Sequence, residues 1–247
     1  MEGAVRQMSR KVEPWRLGFS RWLRLPAGRI RDLEAMDAPD ADPALVARSL
    51  RFLRRVNALL LYNRVLVGHF RRFSRGWRPH DTIRVLDVAT GDGDVPRLLD
   101  RWGRRERFDI RCVGIDLSPV GRGVEPRIVG DALRLPFADG SFDYVISNTF
   151  LHHLADPDAA RALSEMNRVA RRGGVVADMT RGRLAYLGVL ALTAAAGPMV
   201  RRDGRISIAS SFTPAELDAL ARAAGLGEAR IRRHPFFRMT LAWEKRA

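Results

Sequence analysis

Between Val85 and Val95 the chain reads Val85-Leu86-Asp87-Val88-Ala89-Thr90-Gly91-Asp92-Gly93-Asp94-Val95. An apolar, β-branched run over Ile83–Val88 predicts a buried strand, and a helix is expected over Val95–Arg101. Gly91 and Gly93 between them allow the tight turn and the close backbone approach of a ligand. A strand that turns on glycines into a helix is a ligand-binding corner of an open parallel sheet. This one corner therefore predicts an α/β fold with a site at the strand's C-terminal end.

The turn also constrains the ligand. A dinucleotide fingerprint requires glycine or alanine three residues after the second glycine, and Pro96 stands there. Asp87, Asp92 and Asp94 crowd the same turn, and a pyrophosphate would meet like charge. S-adenosylmethionine carries a sulfonium, an ammonium, a carboxylate and ribose hydroxyls, but no phosphate. Asp87 can accept hydrogen bonds from its methionine moiety, and the amides around Ala89, Thr90, Gly91 and Gly93 can serve its carboxylate. Asp116, 25 positions after Gly91, ends a second predicted strand, Ile110–Ile115, where an acid can take ribose hydroxyls. Asp131 follows a short strand at Arg127–Val129 and is assigned to the adenine amino group, with Leu117 and Ala132 sandwiching the ring. Asn148, at the end of the Phe142–Ser147 strand, completes the expected cofactor set.

The rest of the chain fits a parallel sheet with helices on both faces. A helix over Ala159–Val169, closed by Gly173-Gly174, precedes a strand at Val175–Met179. A helix over Thr213–Ala224 has Thr213 as N-cap, Pro214 in its first turn and Glu216 for a capping box. Two closing strands are expected near Glu228–His234 and Phe237–Trp243. Upstream, Asp42-Pro43 opens a helix with the stripe Leu45, Val46, Leu50, Leu53 and Val56, and a second helical run spans Ala58–Phe73. Residues 1–80 thus read as an N-terminal helical attachment, and 81–247 as the ligand-binding domain. Trp15, Phe19, Trp22 and Leu23 form a short basic amphipathic segment, read as a helix packed on the main domain.

These segments together resemble class I S-adenosylmethionine-dependent methyltransferases. "VLDVATGDGD" is similar to the ubiquinone and menaquinone biosynthesis methyltransferases. "DGRISIASSFTPAELDALARAAGL" resembles small-molecule methyltransferases, some of them linked to polyketide pathways. Residues 83–180, about 40% of the chain, carry the main resemblance. It implies a Rossmann-like sheet and methyl transfer from S-adenosylmethionine. One departure is visible: only residues 117–126 separate Asp116 from Arg127, so the crossover between the second and third strands is expected to be shortened.

Methyl transfer needs a base only when the acceptor must lose a proton. His152 or His153, following the fourth strand, is the candidate to deprotonate or orient the acceptor. In the structural alternative, one of the pair caps the next helix. Asn148-Thr149-Phe150-Leu151 lacks the Pro-Pro-Tyr turn of enzymes acting on adenine or glutamine amides. Cys112, the one cysteine, is expected inside a strand. His69, His80 and His234 lack metal-ligand spacing, and no metal is expected.

Leu184–Val200, uncharged over 17 residues, is short for a membrane span and reads as a buried or interfacial segment, an apolar lid over the acceptor. A small hydrophobic acceptor follows: a phenol, a quinone precursor or a polyketide, methylated at oxygen or carbon. The formal charge of +15 raises the alternative of an RNA methyltransferase. However, 41 of the 43 basic residues are arginine, and the charge lies in the flanks, +10 over residues 1–80 and +7 over 181–247, with −2 between. That pattern argues against nucleic acid as partner. A third reading is a non-catalytic binding protein of the same fold. A cytoplasmic location is expected, with peripheral membrane contact and a homodimer left open.

Overall fold

The computed structural model describes residues 25–26, 28–38, 40–60, 62–118 and 126–245. The Trp15–Leu23 segment and most of the short crossover lie outside the described residues. In chain order the helices and strands are α1 (Pro43–Leu59), α2 (Arg64–Phe73), β1 (Thr82–Val88), α3 (Asp94–Glu106), β2 (Asp109–Asp116), β3 (Arg127–Val129), β4 (Phe142–Asn148), α4 (Asp156–Val169), β5 (Ala170–Met179), α5 (Arg183–Thr193), α6 (Pro198–Ser210), α7 (Pro214–Ala223), β6 (Arg230–His234) and β7 (Arg238–Glu244). The seven strands form one sheet in the order β3-β2-β1-β4-β5-β7-β6. β1 to β5 pair in parallel, whereas β7 runs antiparallel to both β5 and β6. The fold is the expected Rossmann-like α/β sheet.

Side chains alternate across the strands, so each strand feeds two cores. Leu86, Val88, Val145 and Val176 face α4 and α7, where Leu163, Met166 and Leu217 are buried. Ile83, Val85, Tyr144, Ile146 and Val175 face α2 and α3, with Leu66, Phe70, Leu99 and Trp102. The second core is aromatic: the Phe73 ring stacks on Tyr144 at 4.6 Å between centroids, and Phe70 meets Trp102 edge-on. α2 thus shares a core with the sheet, although it belongs to the expected N-terminal attachment.

Three local expectations are corrected. Gly173-Gly174 does not close the preceding helix; α4 runs directly into β5, and both glycines lie within that strand. A Cβ on Gly174 would stand 2.5 Å from the Val145 carbonyl oxygen and 2.5 Å from the Trp243 ring, so the pair lets neighbouring strands and an indole approach. The apolar run 184–200 is split between α5 and α6, because Gly197-Pro198 starts a new helix. Leu184 and Leu187 on α5 are exposed, and no helix among the described residues is long and apolar enough to cross a membrane. The Ala58–Phe73 run is interrupted at residues 60, 62 and 63 before α2 begins. The caps conform to expectation: Asp42 accepts from the Ala44 amide at 2.8 Å, and Thr213 and Glu216 form the capping box of α7.

Candidate active site

The turn between β1 and α3 leaves the C-terminal end of β1, between the parallel neighbours β2 and β4. Ala89, Gly91 and Gly93 all adopt left-handed backbone there, at φ +58°, +51° and +71°. Ala89 stands in a conformation that glycine adopts freely and alanine only at a cost. The turn is clamped from β2. The Gly91 amide donates to Asp116 Oδ2 at 2.9 Å, and Arg127 Nη1 donates to the Gly91 carbonyl at 2.6 Å. Asp116 Oδ1 takes the Ser118 amide at 2.9 Å and faces Arg127 Nη2 at 3.8 Å. Asp87 is buried and accepts from the Thr90 hydroxyl at 2.7 Å. Burial, with the Asp116 charge added, pushes its carboxyl up to about 7 against the helping bond from Thr90. α1 reaches the same turn, where Arg54 Nη1 lies 2.6 Å from Asp92 Oδ2.

The fold thus brings together Asp87, Ala89, Thr90, Gly91, Gly93 and Asp116. The remaining expected cofactor residues sit around them. Gly130 donates to the Asp116 carbonyl at 2.9 Å, which sets Asp131 just beyond β3; Asp131 Oδ1 caps the next turn through the Leu133 amide at 2.8 Å. Ala132 is buried, and Leu117 is 60% exposed. Asn148 ends β4. Its Nδ2 donates to Asn63 Oδ1 at 3.1 Å and its Oδ1 accepts from Arg238, so it joins the α1–α2 linker to β7.

Arg238 was not apparent in the sequence. It is fully buried, donates to Thr149 Oγ1 at 2.9 Å and lies over the Tyr62 ring at 4.7 Å. Burial pulls its guanidinium down, against the opposing pull of Asp178. Thr149, at φ +57°, is another strained position at the end of β4. The only prior signal for Arg238 was an arginine within an otherwise apolar closing strand.

His152 does not sit as a free base. Its Nδ1 lies 2.8 Å from Asp178 Oδ1, and its Nε2 is 3.6 Å from Glu34 Oε1. Both carboxylates favour the imidazolium over the burial that opposes it, and the group is raised to about 10. Both ring nitrogens of His152 face buried carboxylates, Nδ1 toward Asp178 and Nε2 toward Glu34, so neither is turned to an acceptor and the expected role as base is corrected for His152. His153 is partly exposed beside it, with Nδ1 3.3 Å from Asp37 Oδ2. Glu34 and Asp178 were invisible in the sequence, since the fold alone brings them to the histidine pair. Cys112 lies in β2 as expected, and burial pushes its thiol up, which makes it a poor nucleophile.

Residues 86–177 match the family model described as "Methyltransferase domain". The match runs from β1 into β5. A demethylmenaquinone methyltransferase of Roseiflexus castenholzii is 39% identical to the chain over 126 residues, covering 44% of this chain and 50% of the relative. An ajmaline N-methyltransferase of Rauvolfia serpentina is 36% identical over 105 residues, covering 37% and 34%. The chain spans about half or less of the length of these relatives. Among solved structures, a SAM-dependent methyltransferase of Aquifex aeolicus superposes with a TM-score of 0.51 at 14% identity, covering 79% of this chain and 97% of that one. The CurJ carbon methyltransferase does so at 0.53 and 12%, covering 82% and 55%. These structures share the fold.

The site around the turn between β1 and α3 fits S-adenosylmethionine on its own chemistry. Asp87, buried and costly to ionise, gains from a neighbouring cation, which the ligand's ammonium and sulfonium provide. Each Asp116 oxygen accepts one backbone amide and keeps a further lone pair for ribose hydroxyls. The amides of Thr90, Gly91 and Gly93 already donate within the chain, to the Ile115 carbonyl, Asp116 Oδ2 and the Thr90 carbonyl, which corrects their expected role toward the ligand's carboxylate.

Proposed function

We propose that the chain transfers the methyl group of S-adenosylmethionine to a small hydrophobic acceptor, a phenol, a quinone precursor or a polyketide, at oxygen or carbon. The observation that carries this reading is the apolar shell beyond the C-terminal end of β5. Ala185, Tyr186 and Ile208 are buried there, with Met179, Val189 and Phe237 packed on them. This cluster is packed on itself, and the exposed apolar side chains of α5, Leu184 and Leu187, are the ones open to an apolar ring. The names of the relatives, which include a quinone and an alkaloid methyltransferase, support the same acceptor class.

Bound S-adenosylmethionine supplies a methyl already activated on a sulfonium sulfur. The chain's contribution is orientation. The clamped turn fixes the donor's position, and Asn63, Asn148 and Arg238 hold the end of β4 against the linker above it. Holding two reactants in line is worth a large share of such a barrier. His152, enclosed by carboxylates, takes no proton from the acceptor.

Incubation with methyl-labelled S-adenosylmethionine and parallel panels of phenols, quinone precursors and total RNA tests the proposal. Label should enter a solvent-extractable product whose mass rises by one methyl group. Label in RNA, or tight cofactor binding with no transfer to any panel, would overturn it.

A further inference from the structure

Away from the cofactor turn, the segment 30–37 crosses the turn after β4 and leaves Glu34, His152 and His153 with one ligand atom each inside a 4.8 Å sphere of mutual separation. Glu34 and His152 are buried, and His153 opens to solvent. We propose that this cluster is a binding site for a divalent transition ion of zinc or cobalt character, which fastens segment 30–37 onto the ends of β4 and β5.

The geometry favours a shared ion over a simple contact. Glu34 Oε1 and His152 Nε2 stand 3.6 Å apart, too far for a good hydrogen bond. Two atoms each about 2.1 Å from one tetrahedral ion lie about 3.4 Å from each other. The opposite nitrogen, Nδ1, is already held by Asp178 at 2.8 Å. A carboxylate on the far nitrogen is the arrangement that fixes the tautomer and ring orientation of a metal-bound histidine. Glu34 is itself positioned by the Ser207 hydroxyl. Asp37 Oδ2, 3.3 Å from His153 Nδ1, adds an oxygen at the open side. The ion displaces the proton of His152 Nε2 to solvent as it binds; two imidazoles and a carboxylate then form a donor set for zinc, cobalt or a similar ion rather than for calcium or magnesium. Charge agrees: in a chain of net +15, four carboxylates converge here, Glu34, Asp37, Asp178 and Asp203, the last binding the Ala35 and Met36 amides at 2.7 and 3.0 Å.

The test uses the full chain without a histidine tag, stripped by chelator and titrated with Co²⁺, then with Zn²⁺. The expected result is one saturable equivalent of Co²⁺ with visible d–d absorption, displacement by Zn²⁺ and a rise in Tm. His153→Ala, a change at a partly exposed side chain, should keep the fold by circular dichroism and weaken binding by about tenfold or more. Glu34→Gln, which retains a partner for Ser207, should do the same. His80→Asn, at an exposed histidine with φ +69° that asparagine tolerates, should bind as the parent does. Absence of saturable binding would overturn the site and leave His152 as a buried imidazolium between two carboxylates. Unchanged binding in both His153→Ala and Glu34→Gln would overturn it equally.

Discussion

Asp87 carries opposed demands within a single side chain. Its carboxyl is buried and raised to about 7, chiefly by desolvation. The folded state therefore holds the proton more tightly than the unfolded chain, and the stability this gives at low pH is lost as pH rises from about 4 through 7. Asp87→Asn, which keeps the shape and removes the charge, should stabilise the cofactor-free protein by about 1–3 kcal/mol at pH 8. The gain should shrink to a small fraction near pH 4, where the folded carboxyl is neutral and the unfolded one is close to half protonated, as denaturant midpoints at the two pH values would report. The same variant should bind S-adenosylmethionine more weakly, because the cation then meets a neutral amide; calorimetry checks this. A gain in stability with unchanged affinity would remove Asp87 from the cofactor site. Two residues on, Ala89 sits at φ +58°. Ala89→Gly should raise stability by about 0.5–1 kcal/mol, the relief of the left-handed strain outweighing the added freedom of the unfolded chain.

At the scale of elements, strands and helices with strong local signals were legible. The β-branched run before the turn, Asp42-Pro43 and Thr213-Pro214 with Glu216 each carry their physical cause in adjacent residues. Glycine was ambiguous. Gly173-Gly174 has the composition of a helix stop, but its purpose is set by Trp243 and Val145, neighbours only in the folded sheet. Gly174→Ala should destabilise the protein by about 2–4 kcal/mol, since a strand carbonyl and a buried indole must both move; urea denaturation measures it. An effect below about 0.5 kcal/mol would show that the close approach is slack. The cofactor turn was legible for the same local reason: Asp87, Thr90, Gly91 and Gly93 are contiguous, and Asp116 ends the strand beside them. The acceptor side was not, because Glu34, Asn63, Asp178 and Arg238 reach the site from four separate elements. Nothing in the spacing of the histidines announces their carboxylate partners.

The whole molecule is closed on its antiparallel side by histidines rather than by apolar contacts alone. His69 of α2 and His234 of β6 both lie within hydrogen-bond distance of Thr240 Oγ1 in β7, at 2.9 and 2.8 Å. This joins the helical layer to the last two strands, and the two rings meet edge-on. Burial depresses His69 to about 4, with His234, Arg232 and Arg72 adding repulsion; His234 is lowered for the same first reason. Above pH 6.5 both states of the protein hold His69 neutral, and no penalty arises. Below it the unfolded chain takes up a proton that the folded protein refuses until about pH 4, so stability falls with falling pH across that interval. His69→Gln retains a polar tip toward Thr240 but cannot titrate. The parent's stability relative to this variant should decline by about 1–3 kcal/mol between pH 7 and pH 4, and should be constant between pH 7 and 8. Denaturant unfolding of the two proteins side by side cancels the contributions of Asp87 and every other group they share, so a difference that stays flat from pH 7 to 4 would show that His69 is protonated within the fold and that the seam tolerates its charge.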